Sequence, residues 1–232
     1  RDRVEAAIRN TGSFYPLGRI TVNLAPADLP KEGNAFDLPI AIGLLRMSGQ
    51  IYTEKLEESV MLGELSLDGK IRPIKGVLPV AVEAKKQGFK YLVVPKENGA
   101  EAAVVEGIEI FAFDHLNQVK DWLENRGSME PLEVDVKSYF NQNGQSKIMD
   151  FCDVRGQENV KRGLEIAAAG GHNAIMVGPP GSGKTMMARR IPTILPPLSL
   201  EEALETTKIH SVSGILDGGK ALITSRPFRA PH

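Results

Sequence analysis

Of its 232 residues, the chain has one cysteine, one tryptophan and only 6% aromatics, and a net charge of −1. A single cysteine, Cys152, excludes an internal disulfide and supplies no metal cluster. No stretch approaches 18 consecutive apolar residues, and no charged-then-apolar signal segment opens the sequence, so the expectation is a cytoplasmic protein without a membrane span. The near-zero charge announces neither nucleic acid nor an acidic partner. It is unevenly spread, with ten Lys/Arg against seven Asp/Glu from Phe151 onward and eighteen against twenty-two before it. That mild basic excess suits a phosphate ligand and neither requires nor excludes DNA. Apolar content of 42% and charged content of 25% are those of an ordinary globular protein with a real core.

What the sequence does have is AIMVGPPGSGKTMMARR at residues 174–190. Gly178, Pro179, Pro180, Gly181, Ser182, Gly183, Lys184 and Thr185 fit G-x-x-x-x-G-K-S/T, the phosphate-cradling P-loop. The apolar run 174–177 suits a buried strand before it, and the residues from Met186 suit a helix after it. Gly181 and Gly183 let the backbone wrap phosphate while its N–H groups point inward at a helix start, where the dipole favours anions. In this reading Lys184 reaches the β- and γ-phosphates and the Thr185 hydroxyl completes a Mg²⁺ shell, with Met186 beside them. The bland alternative is a glycine-rich turn.

The rest of the chain reads as mixed α/β. Residues 1–10 place Val4, Ala7 and Ile8 at helical spacing. This start, inside a helix and without Met, reads as a piece of something longer. Residues 19–24 alternate and predict a half-buried strand, and Asp37 opens a helix to about Met47 with Pro39 in its first turn. A β-hairpin is expected over 61–72 around Asp68-Gly69. A helix follows over 77–87, a strand over 91–94, a short helix over 100–105, a strand over 109–113 and a helix over 116–125. Together these make a first domain, residues 1–126, and the polar stretch 127–149 reads as a linker. A second domain, 150–232, holds a helix over 157–169, the P-loop and a helix capped by Ser199. No apolar strand ending in Asp-Glu follows Thr185.

The segments DFCDVRGQENVKRGLEIAAAGGHN, GPPGSGKTMMARRIPTILPPLS and IHSVSG with RPFRAPH closely resemble the ComM/YifB family of magnesium-chelatase-like AAA+ ATPases. The resemblance implies ATP with Mg²⁺ as the ligand, and places Val154 and Gly156 beside the adenine. It implies a homo-hexameric helicase or branch-migration motor on branched or single-stranded DNA, serving recombination and natural transformation, with this piece monomeric. Residues 1–126 are similar to the Lon proteolytic domain, through Leu29-Pro30-Lys31-Glu32-Gly33, Gly63-Glu64-Leu65 and Pro73-Ile74-Lys75-Gly76. In that register the nucleophile position falls on Ala35 and the base position on Leu78, which excludes the Ser–Lys chemistry. The fold so implied is a Lon-like α/β domain without its dyad, followed by the amino-terminal part of a P-loop AAA+ domain.

Other residues carry weaker readings. Lys31 and Lys75 would rim the old peptidase cleft and touch DNA phosphates, or stand as solvated lysines. His172, His210 and His232 lack metal-ligand spacing. Arg189 and Arg190 read as salt-bridging residues; Arg226 and Arg229 touch nucleotide or a neighbouring subunit, or support a loop. Two alternatives to a DNA motor stay open: a chelatase-type motor remodelling a protein partner, and a platform that binds nucleotide without cycling.

Overall fold

The computed structural model describes residues 2–25, 33–143, 149–216 and 219–230. They divide into two units, residues 1–135 with 207–221, and residues 136–206 with 222–232.

In the first unit, helix α1 (Asp2–Asn10) turns Val4, Ala7 and Ile8 inward, as their spacing dictates. Helix α2 (Asp37–Met47) carries Pro39 in its first turn, where the missing N–H costs nothing, and buries Leu38, Ala41, Ile42 and Leu45. Strands β1 (Ser59–Met61), β4 (Tyr91–Pro95) and β5 (Glu109–Phe113) form a parallel sheet in the order β1-β4-β5. Helices α3 (Val77–Lys86) and α5 (Leu116–Leu123) each bury one apolar face. Tyr91, Phe111, Phe113 and Trp122 meet at centroid distances from 4.7 to 6.4 Å, mostly edge-on or tilted.

The predicted hairpin is shorter than its sequence. Strands β2 (Glu64–Leu65) and β3 (Ile71–Arg72) pair antiparallel around Asp68-Gly69, whereas Met61 belongs to the parallel sheet. The turn is anchored at both ends: the Ile71 N–H donates to Asp114 (2.8 Å) and the Leu116 N–H to Gly69 (2.8 Å). Asp37, next to Arg3 at 3.0 Å, also accepts the Leu65 N–H at 3.3 Å and so ties α1, α2 and β2 together. Helix α4 (Gly99–Ala102) begins where Gly99 leaves no room, since a Cβ there would lie 2.7 Å from Ala112 Cβ and 2.8 Å from Leu132 Cδ2.

Three expectations need revising. Residues 19–24 form no strand, and Val22 and Leu24 stay partly exposed, because an alternating segment needs a hydrogen-bonding neighbour that none of the described residues supplies. Residues 174–177 likewise form no strand; Ile175 and Val177 are 90% and 91% exposed, and only Met176 packs inward. No strand is present among the described residues of the second unit, so nothing pairs with them. The stretch expected to be a linker contains helix α6 (Val136–Asn143), and its Leu132 N–H donates to Ile110 at 2.7 Å along the edge of β5.

The second unit also holds α7 (Glu158–Gly170), α8 (Lys184–Ala188) and the first turns of α9 (Leu200–Ser213), whose last residues pack in the first unit. Its core is Phe151, Val154, Leu164 and Met187. Ser199 Oγ accepts the Glu202 N–H at 3.1 Å while Glu202 accepts the Ser199 N–H at 2.9 Å, a reciprocal cap that starts α9 where the sequence indicated.

Candidate functional site

Residues 178–185 wind into the start of α8. Gly181 and Gly183 take φ of +80° and +82°, a left-handed backbone that a Cβ disfavours, which is why glycine stands at both. The Met187 N–H bonds to the Gly183 carbonyl at 2.9 Å, so α8 begins at the second of these glycines. Lys184, first in the helix, folds its ammonium over the loop and donates to the carbonyls of Gly178 and Pro179, both at 2.8 Å, and to Ser182 Oγ at 3.1 Å. The positive charge therefore sits in the mouth of the loop. Thr185 and Met186 follow on the exposed side, and Met187 turns inward to anchor α8.

One contact of this constellation was not indicated by the sequence, although the resemblance places the segment 153–157 beside the adenine. Gln157 holds a left-handed φ of 57° and sends its Nε2 to the Ser182 carbonyl at 3.0 Å, which fixes the loop from the start of α7. The signal available was its position directly after Gly156, itself at φ +70°. Val154, expected at the base, has a buried side chain, and its carbonyl accepts Lys161 Nζ at 3.1 Å. Gly156, two residues on, is exposed.

The arginines resolve as struts. Arg190 donates to the carbonyls of Asp150 (3.0 Å) and Met186 (3.1 Å). Arg226 reaches the Pro196 carbonyl at 2.7 Å and pairs with Glu202 at 3.1 Å, which favours loop support over contact with nucleotide. The Ser199 N–H, and then Arg226, hold the Glu202 carboxyl below the usual range. Beside Cys152, the Asp150 carboxylate pushes the thiol up, away from a reactive thiolate. Among the described residues no group of three His, Cys, Asp or Glu side chains forms a metal site, and no helix is long and apolar enough to cross a membrane.

At the peptidase-like positions, Leu78 is fully buried and Ala35 spends its carbonyl on the Gly63 N–H at 2.8 Å. Neither side chain offers a nucleophile or a base. Lys75 is exposed, with its arm lying over Gly214; Lys31 and His232 fall outside the described residues.

Two family models match: subunit ChlI of Mg-chelatase over residues 1–98, and magnesium chelatase, subunit ChlI, over residues 150–232. The chain is 48% identical over 233 residues to the YifB protein of Escherichia coli, matching along its whole length and covering 44% of that protein. It is 42% identical over 235 residues to competence protein ComM of Haemophilus influenzae, again along its whole length and covering 45% of it. Lon protease 2 of Bacillus subtilis is 34% identical over 98 residues, 41% of this chain and 17% of that protein. The chain thus spans somewhat under half the length of the full-length relatives it matches.

Proposed function

We propose, since the chain belongs to the magnesium-chelatase-like family that includes YifB and ComM, that it is the nucleotide-binding portion of an AAA+ ATPase that moves DNA strands during recombination of incoming DNA. The fold is that of a Lon-like α/β domain joined to the P-loop part of an AAA+ domain. The single observation that carries the nucleotide reading is the position of Lys184, whose ammonium is gathered over the loop by oxygens it can exchange for phosphate.

In this reading Mg-ATP would be held by the loop N–H groups, with Lys184 neutralising the β- and γ-phosphate oxygens and the Thr185 hydroxyl taking a place on Mg²⁺. The chemistry supplied by magnesium, held there by the Thr185 hydroxyl, would be to offset the charge of the phosphates. Gln157 keeps the Ser182 carbonyl turned aside, and Val154 and Gly156 bring backbone to the adenine. No apolar strand ending in Asp-Glu follows Thr185, so the 232 residues alone are assigned binding with little turnover. A homo-hexamer and a cytoplasmic location belong to the same proposal for the complete protein.

A second reading, a motor that remodels a protein partner as a chelatase subunit would, is favoured by the ChlI models matching both parts of the chain. ATP turnover of the complete protein, with and without a forked or four-way DNA, separates the two. Strong stimulation supports the DNA motor; turnover indifferent to DNA and raised by a protein partner overturns it.

A further inference from the structure

Outside the P-loop, Glu101 is a buried carboxylate, 4% exposed near the end of α4, with three hydrogen bonds among the described residues. One of its oxygens accepts the Leu78 N–H at 2.9 Å and the Ser211 hydroxyl, and the other accepts Asn98 Nδ2 at 3.1 Å. Asn98, 8% exposed, is itself clamped to the backbone of Ile74 by two bonds of 3.0 Å. Gly76, the residue before α3, has no side chain to cap that helix, so Glu101 caps it from outside with a negative charge at its positive end. The nucleotide reading uses none of these groups.

Ser211 lies in the last turn of α9, is 2% exposed, and packs within the first unit. Its carbonyl accepts the Gly76 N–H at 3.2 Å, and beyond it Gly214 passes under the arm of Lys75, where a Cβ would meet Lys75 Cε at 2.2 Å. The hold is polar. Ile209, Val212 and Ile215, the large apolar residues of this segment, are 61–66% exposed and contribute little burial. The Glu101–Ser211 hydrogen bond is a charged one, and it stands beside the Gly76 N–H on the Ser211 carbonyl and the Gly219 N–H on the Glu97 carbonyl at 3.3 Å.

We propose that the corner formed by residues 75–78 and 98–101 is a receptor for the chain's own segment 210–215, with the Glu101–Ser211 hydrogen bond as its latch. The receptor occupies the place where the Lon-like register puts the base, at position 78. Where a peptidase would carry a lysine, this chain buries a leucine and uses that residue's N–H to hold the carboxylate. The held residues are the carboxyl-terminal end of α9, which belongs to the same unit as the receptor. The inference stands whether or not the P-loop binds nucleotide.

Amide hydrogen exchange on the whole 232-residue chain tests it. Ser211→Ala should speed exchange in residues 208–216 and 76–78 by roughly ten- to hundredfold, the range for losing a hydrogen bond to a charged group. Exchange in α7 and α8 should not change. Ser213→Ala, which removes only an exposed hydroxyl bonded to Ile209 within the same helix, should leave every region unchanged. Glu101→Gln should loosen the same two regions. Unchanged exchange at 208–216 in Ser211→Ala overturns the latch, and so does loss of protection throughout the first unit, which would make the contact a part of the fold instead of a releasable grip.

Discussion

Replacing Gly181 by alanine isolates one cause. At Gly181 φ is +80°, yet nothing lies within 4 Å of where its Cβ would stand, so the methyl meets strain and no clash. A non-glycine residue in the left-handed region costs about 1–2 kcal/mol. The loop is exposed and can relax out of that geometry, so the cost falls on the population of the phosphate-ready conformation more than on global stability. At 1.4 kcal/mol per factor of ten, the apparent Kd for Mg-ATP should rise about 5- to 30-fold, with the melting temperature nearly unchanged. Gly183→Ala adds a contact 3.3 Å from Met186 Cε at the start of α8 and should lose at least as much. Calorimetric titration of Mg-ATP against the three proteins, with thermal melts alongside, gives both quantities. If Gly181→Ala bound within twofold of the parent, the left-handed loop would not be the phosphate-binding conformation and the reasoning would fail.

Other outcomes follow from the same geometry. Gly99→Ala, whose Cβ would sit 2.7 Å from the rigid Ala112 Cβ, should lower stability by about 1–3 kcal/mol in urea unfolding. Gly43→Ala, exposed inside α2 with nothing within 4 Å, should raise it by about 0.5–1 kcal/mol; equal effects at the two sites would contradict the packing described. Ser199→Ala removes one half of the cap on α9 and should cost about 1 kcal/mol, read as faster amide exchange in the first turn of that helix. The Ser66 hydroxyl, followed by the Lys70 N–H, holds the Asp68 carboxyl down at about 2 from its usual 3.8. A depressed carboxyl contributes in full above pH 3.8 and loses its contribution as pH falls towards 2. Carboxyl NMR should therefore place the Asp68 midpoint near 2, and Ser66→Ala should move it up.

Local chemistry made much of this legible in advance. The helical spacing of Val4, Ala7 and Ile8, the Pro39 placement, the Ser199 cap and the turn of Gly183 into α8 are each written within a few consecutive residues, and each appears where its pattern put it. Strand pairing is a different kind of fact. Residues 19–24 and 174–177 have strand composition, but a strand forms only beside another, and the pattern of one segment says nothing about the presence of its neighbour. Helix α6 escaped notice because Val136, Tyr139 and Phe140, although at helical spacing, stand in a single short turn-and-a-half among Ser, Asn and Gln, where composition reads as loop. Gln157 and Glu101 escaped for a third reason. Their partners appear only when the fold brings Ser182 to one and Leu78, Asn98 and Ser211 to the other, across separations of 25, 23, 3 and 110 residues.

The central claim is that residues 178–185 form a nucleotide site with Lys184 as its charge. The most direct measurement is calorimetric titration of Mg-ATP into the 232-residue chain and into Lys184→Ala. The account predicts binding by the parent and a Kd raised roughly ten- to hundredfold in the variant, the range for losing a charge-assisted hydrogen bond, with both proteins melting alike. Binding of equal strength by the two proteins, or none by a folded parent, would contradict it.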